Sequence, residues 1–147
     1  NIYIWDNFYA SDYCEPRVTL DKYLPFAGNI PSDISGIMIN ATGKINLDLL
    51  ILRLYSLGFQ RNDFEISDFL STELHPAFKS ISKYFTFNGS LIKADDCEYV
   101  NDILQNWIHP IKNEIYPYLH LLKFLMQNTG SRDSNFIKRI RLKERES

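Results

Sequence analysis

The clearest hydrophobic pattern in the chain lies between residues 46 and 58. Leu47, Leu50, Ile51, Leu54 and Leu57 recur at three- and four-residue steps, the spacing of one face of an α-helix. Asn46 is a good N-cap, Asp48 places an anion in the first turn, and Gly58 supplies a stop. Leu49 and Leu52 add apolar surface outside the stripe, so this helix is expected to be central and buried on more than one side. A short helix is expected from Ser67. Another opens at Pro76 with Phe78, Ile81 and Phe85 on its inner face, and it closes at Asn88-Gly89. Asp95 and Glu98 stand three apart, as in a capping box, before the stripe Cys97, Val100, Leu104, Trp107 and Ile108. After Pro110, a last segment carries Ile111, Ile115, Leu119, Leu122 and Met126, with Pro117 expected to kink or split it.

The first 46 residues are less regular. Ile4 and Phe8, and Trp5 and Tyr9, are four apart and favour a short helix over residues 2–9, although Ile2 and Ile4 also alternate as in a strand. Prolines and glycines then punctuate the chain up to Gly43. Ile37 and Ile39 around Met38 suggest a short hairpin in residues 36–46. The pattern as a whole predicts a mostly α, compact single-domain bundle of about five helical segments, with a small β-hairpin in the N-terminal third. Residues 1–130 form the globular domain and residues 131–147 a basic tail.

Length and composition agree with this. A chain of 147 residues can bury a core without disulfides or metals. Aromatics at 14% supply that core with large rings. Two cysteines, Cys14 and Cys97, are too few for a disulfide scaffold, so a reducing, cytoplasmic setting is the expectation. Cys97 sits on an apolar stripe and reads as a core thiol. No run approaches the roughly 20 apolar residues of a membrane span, and no membrane partner is expected.

Charge changes the picture more. The chain carries a net charge of -2. Residues 131–147 hold six basic residues (Arg132, Lys138, Arg139, Arg141, Lys143, Arg145) against three acids, a net +3, which leaves -5 on residues 1–130. Asp63, Glu65, Asp68 and Glu73 form one acidic cluster, and Asp95, Asp96 and Glu98 form a second. Such clusters either cap helices and face water or steer a basic partner. Phe59, Phe64 and Phe69 lie close to the first cluster, as anchors inside a charged rim or as core.

Motifs for chemistry are missing. Gly36 and Gly43-Lys44 are too far apart for a phosphate-binding loop, and Ile45 replaces the hydroxyl residue. His75, His109 and His120 have no metal-ligand spacing, and His75 before Pro76 reads as a helix cap. Residues 46–69, a helix with Gly58-Phe59 and an acidic loop, resemble acyl-carrier-like helical proteins. Asn46-Leu47-Asp48-Leu49 stands where such carriers hold their Asp-Ser pair, so the resemblance implies no prosthetic arm.

No catalytic residue, metal or cofactor is therefore expected. The sequence reading is a non-enzymatic inhibitor, of the immunity or antitoxin kind, that neutralises a basic protein partner such as a toxin. Its contact residues would be Asp63, Glu65, Asp68, Glu73, Asp95, Asp96 and Glu98. The alternative is a nucleic-acid-associated protein that binds phosphate through Arg132, Lys138, Arg139, Arg141 and Lys143. An enzyme whose site assembles from distant residues is the third reading.

Overall fold

A computed structural model describes residues 2–10, 16–26, 30–60 and 63–128. Within them the chain is mostly helical and forms one domain: five α-helices and a two-stranded parallel sheet. The strands are β1 (Ile2–Asp6) and β2 (Ile34–Ile39). The helices are α1 (Ile45–Phe59), α2 (Ile66–Glu73), α3 (Phe78–Ile81), α4 (Cys97–Asn106) and α5 (Pro110–Gln127). The basic tail and Cys14 lie outside the described residues, and with them every basic residue of the nucleic-acid reading.

Residues 2–6 form a strand where the four-residue spacing favoured a helix. Ile4, Trp5, Phe8 and Tyr9 satisfy helical spacing, but Ile4 and Asp6 turn inward while Tyr3 and Trp5 turn outward, the period of a strand. β2 pairs with β1 in parallel, Tyr3 opposite Gly36 and Trp5 opposite Met38. The expected hairpin is therefore absent from the described residues. Ile37 and Ile39 do alternate around Met38, but their partner strand lies some thirty residues upstream in sequence.

In α1, Leu47, Leu50, Ile51 and Leu54 are buried as expected, and Tyr55 joins them. Leu49 and Leu52 are exposed, so the helix is buried on one side only. Its cap is also different. Lys44 occupies the N-cap without a side-chain bond. Glu114 of α5 instead accepts the N–H groups of Asn46 (3.1 Å) and Leu47 (2.7 Å), and the Asn46 side-chain amide as well (2.7 Å). A carboxylate at the positive end of the helix dipole thus ties α1 to α5. Asp48 reaches back to Thr42 N–H and Oγ1 and to Gly43 N–H.

Gly58 lies inside α1 rather than beyond its end. A Cβ there would stand 2.7 Å from both Cβ and the carbonyl oxygen of Tyr23. The glycine is needed for close approach of the 16–26 segment, not for a stop.

Phe78, Ile81 and Phe85 form the buried face expected of the Pro76 segment, but α3 begins at Phe78 rather than Pro76 and gives way to a 3-10 turn over Ser82–Tyr84, short of Asn88-Gly89. At α4 the capping box does not form: Asp96 is the N-cap position, with no side-chain cap bond. Val100, Ile103 and Trp107 point inward, while Ile108 is 98% exposed because the chain turns there from α4 into α5. α5 runs unbroken through Pro117, which lies on its exposed side. His75 Nδ1 accepts the Ala77 N–H (3.3 Å) in the turn before α3 rather than capping the helix itself, whose N-cap is Ala77; His109 does cap α5, accepting the Ile111 N–H (3.2 Å).

Replacing an interior helical glycine by alanine ordinarily stabilises, by up to about 1 kcal/mol. At Gly58 the clash with Tyr23 reverses the sign. Gly58→Ala is expected to destabilise by about 1–3 kcal/mol, read from the urea unfolding midpoint. A stabilised variant would show that Tyr23 does not pack there.

Candidate interaction surface

The β1–β2 sheet has two dissimilar faces. On the inner face Asp6 is buried and Ile39 packs against the core. On the outer face stand Tyr3, Trp5 and Met38, exposed by 58%, 61% and 47%. Gly36, opposite Tyr3, leaves room for the ring to lie across the strand: a Cβ at Gly36 would stand 3.0 Å from Tyr3 Cε1. Trp5 Nε1–H donates to Asn7 Oδ1 (2.8 Å). The two rings are thus positioned by their own neighbours while more than half of each residue's surface remains in water.

What fixes this face lies directly behind it. Asp6 Oδ2 accepts the hydroxyl of Tyr23 (2.5 Å); its Oδ1 accepts the hydroxyl of Tyr55 (3.0 Å) and the N–H of Phe8 (2.7 Å). Three donors from three segments satisfy one buried carboxylate. Rings close around it: Tyr23 and Tyr55 are 4.4 Å apart between centroids, and Tyr9 packs edge-on against Tyr55 at 5.0 Å. Tyr9 donates to the Asp21 carbonyl (2.6 Å). Burial pushes the hydroxyl pKa values of Tyr9, Tyr23 and Tyr55 well above the usual tyrosine range. For Tyr23 and Tyr55 the adjacent Asp6 carboxylate adds to the rise, since it repels a phenolate.

The acidic residues are placed differently from one another. In the first cluster, Glu65 pairs with Lys22 (3.5 Å), Asp68 with Lys79, and Glu73 with Arg53 through both carboxylate oxygens. These three charges are each matched by a cation. Asp63 is exposed, with no cationic partner among the described residues. Phe59, Phe64 and Phe69 pack partly buried against the core. Lys22 and Arg53 lie over the Phe64 and Phe69 rings.

In the second cluster Asp96 is buried, where it accepts the Tyr84 hydroxyl and pairs with Lys83 at 2.6 Å. Asp95 and Glu98 are exposed and have no cationic partner among the described residues. Asp102, which the charge clusters did not include, continues their line at the next helical step; the His75 imidazole lies 3.9 Å from it, and no Lys or Arg pairs with it among the described residues.

Cys97 is half-buried against the core, with Asn101 Nδ2 at 3.6 Å from its sulfur. Among the described residues no group of His, Cys, Asp and Glu could hold a metal ion, and no helix is long and apolar enough to cross a membrane. No protein-family model, curated protein or solved structure matches the chain.

The raised tyrosine pKa values set a pH dependence. An unfolded chain loses tyrosine protons near about pH 10, whereas the folded chain holds them to higher pH. Above that pH the unfolded state binds fewer protons, so stability falls as pH rises. The urea midpoint is expected to decline above about pH 10, and more shallowly in Tyr23→Phe and Tyr55→Phe. Equal slopes in wild type and both variants would contradict it.

Proposed function

We propose that this chain is a non-enzymatic protein-binding module, with the outer face of the β1–β2 sheet as its contact surface. The observation that carries this is the exposure of Tyr3, Trp5 and Met38 together, on one side of a sheet whose other side is locked to the core. Trp and Tyr dominate the energetic centres of protein interfaces because each buries a large area at little conformational cost. Their orientation by Gly36 and Asn7 lowers that cost further. An exposed group of large rings gains nothing for folding, and contiguous apolar surface of this kind marks interaction sites.

Because their side chains lie in water, Tyr3→Ala, Trp5→Ala and Met38→Ala are each expected to change folding stability by less than about 0.5 kcal/mol. The triple variant, compared with wild type as bait in the native lysate, should lose a protein that wild type captures. With that protein purified, Trp5→Ala should weaken binding by about 2 kcal/mol, roughly thirtyfold. Equal binding by wild type and the triple variant would remove this face from the interface.

The narrower reading, an inhibitor of a basic protein, is supported by the line of Asp95, Glu98 and Asp102. Their three- and four-residue spacing puts three acids along one helical side. Charge reversal of all three to Lys should slow association with a basic partner and weaken its dependence on salt. Unchanged association rates across salt concentrations would leave the acids as a solvated surface only.

A further inference from the structure

A second feature lies where α4 turns into α5. Trp107, Ile108, His109, Pro110, Lys112 and Asn113 line an open cavity of about 420 Å³. We infer that this cavity is a binding site for a small organic carboxylate, an anionic head on an apolar body.

The head is specified by Lys112 and His109. The Lys112 ammonium donates to the carbonyls of Leu104 (2.8 Å) and Trp107 (2.7 Å), which leaves one of its three donors for a ligand. It has no ion-pair partner among the described residues, and no carboxylate lines the cavity. His109 accepts the Ile111 N–H at Nδ1, so the neutral ring carries its proton on Nε2 as a second donor. The ring is held in plane against Trp107, with centroids 5.0 Å apart and planes 5° from parallel. Asn113, an exposed polar residue, also lines the cavity. One cation and neutral donors suit a monoanion better than a phosphate dianion, which favours several cations or an arginine fork.

The body is specified by Ile108 and Pro110. Ile108 is 98% exposed and lines the same cavity, so an apolar ligand would take its side chain out of water. The site is independent of the sheet face and does not rest on the protein-binding reading.

The test is a 1H–15N chemical-shift titration of the full chain with sodium benzoate and, separately, with uncharged benzamide. The chain has two tryptophans, so Trp5→Phe leaves Trp107 as the single indole reporter. Benzoate is expected to give saturable shifts confined to residues 107–113, with benzamide roughly tenfold weaker for want of the charge. Lys112→Met should abolish the preference for benzoate. Because that variant also removes a cap on α4, Asn113→Asp serves beside it: the exposed rim position gains a negative charge, and benzoate binding should weaken roughly tenfold. No saturable shift, equal binding of benzamide, or an Asn113→Asp variant with undiminished affinity would each overturn the assignment.

Discussion

Taking a carboxylate out of water is costly unless donors replace its hydration shell. Asp6 is buried at the end of β1, and its replacement shell comes from Tyr23, Tyr55 and Phe8 N–H. The arrangement is mutual. Each buried tyrosine hydroxyl also needs an acceptor, and an acceptor-only carboxylate can serve several donors at once. Since the donors come from the turn after β1, from the irregular 16–26 segment and from α1, satisfying one group fixes three elements relative to one another. Removing Asp6 would orphan two hydroxyls together, which is why the cluster acts as a unit.

The same device recurs in the helical half. Tyr84 donates to Asp96 and accepts the Lys93 N–H (3.2 Å), and Tyr118 of α5 donates to the Tyr84 carbonyl (2.5 Å). Arg17, buried, donates to the carbonyls of Thr86 (2.6 Å) and Phe87 (3.2 Å), while Leu20 N–H bonds the Phe85 carbonyl (2.7 Å). Irregular backbone inside a domain must find partners for its polar groups. Here long side chains with a polar tip supply them, so segments without helix or strand still pack against the core. A two-stranded parallel sheet has little stability by itself; anchored through Asp6, it can hold a tryptophan and a tyrosine in water.

The helices were legible because their burial follows a local period. Leu47 to Leu54, Phe78 to Phe85 and Ile111 to Met126 repeat at three to four residues, and the core takes up those stripes. The N-terminal strand was not legible. Ile4/Phe8 and Trp5/Tyr9 spacing mimics a helix, and a parallel partner distant in sequence leaves no local signal. The alternation of Ile2 and Ile4 was the one available hint. The Asn46 cap failed for a related reason, since the carboxylate that accepts the first N–H groups of α1 is Glu114, supplied by tertiary contact, while Asp48 holds the first-turn place expected of it. The acidic clusters were visible as composition, but composition cannot separate the matched Glu65, Asp68 and Glu73, or the buried Asp96, from the bare Asp95 and Glu98. Tyr3, Trp5 and Met38 became a surface only once the strand assignment put them on one side.

The proposed binding surface therefore depends on the lock beneath it, and amide hydrogen exchange reads that dependence directly. In the Tyr23→Phe/Tyr55→Phe double variant, with both rings kept and both hydroxyls gone, amides of β1 and β2 should lose protection selectively. Those of α4 and α5 should keep theirs. Unchanged protection in the strands, or an equal loss throughout the domain, would contradict the role given to Asp6.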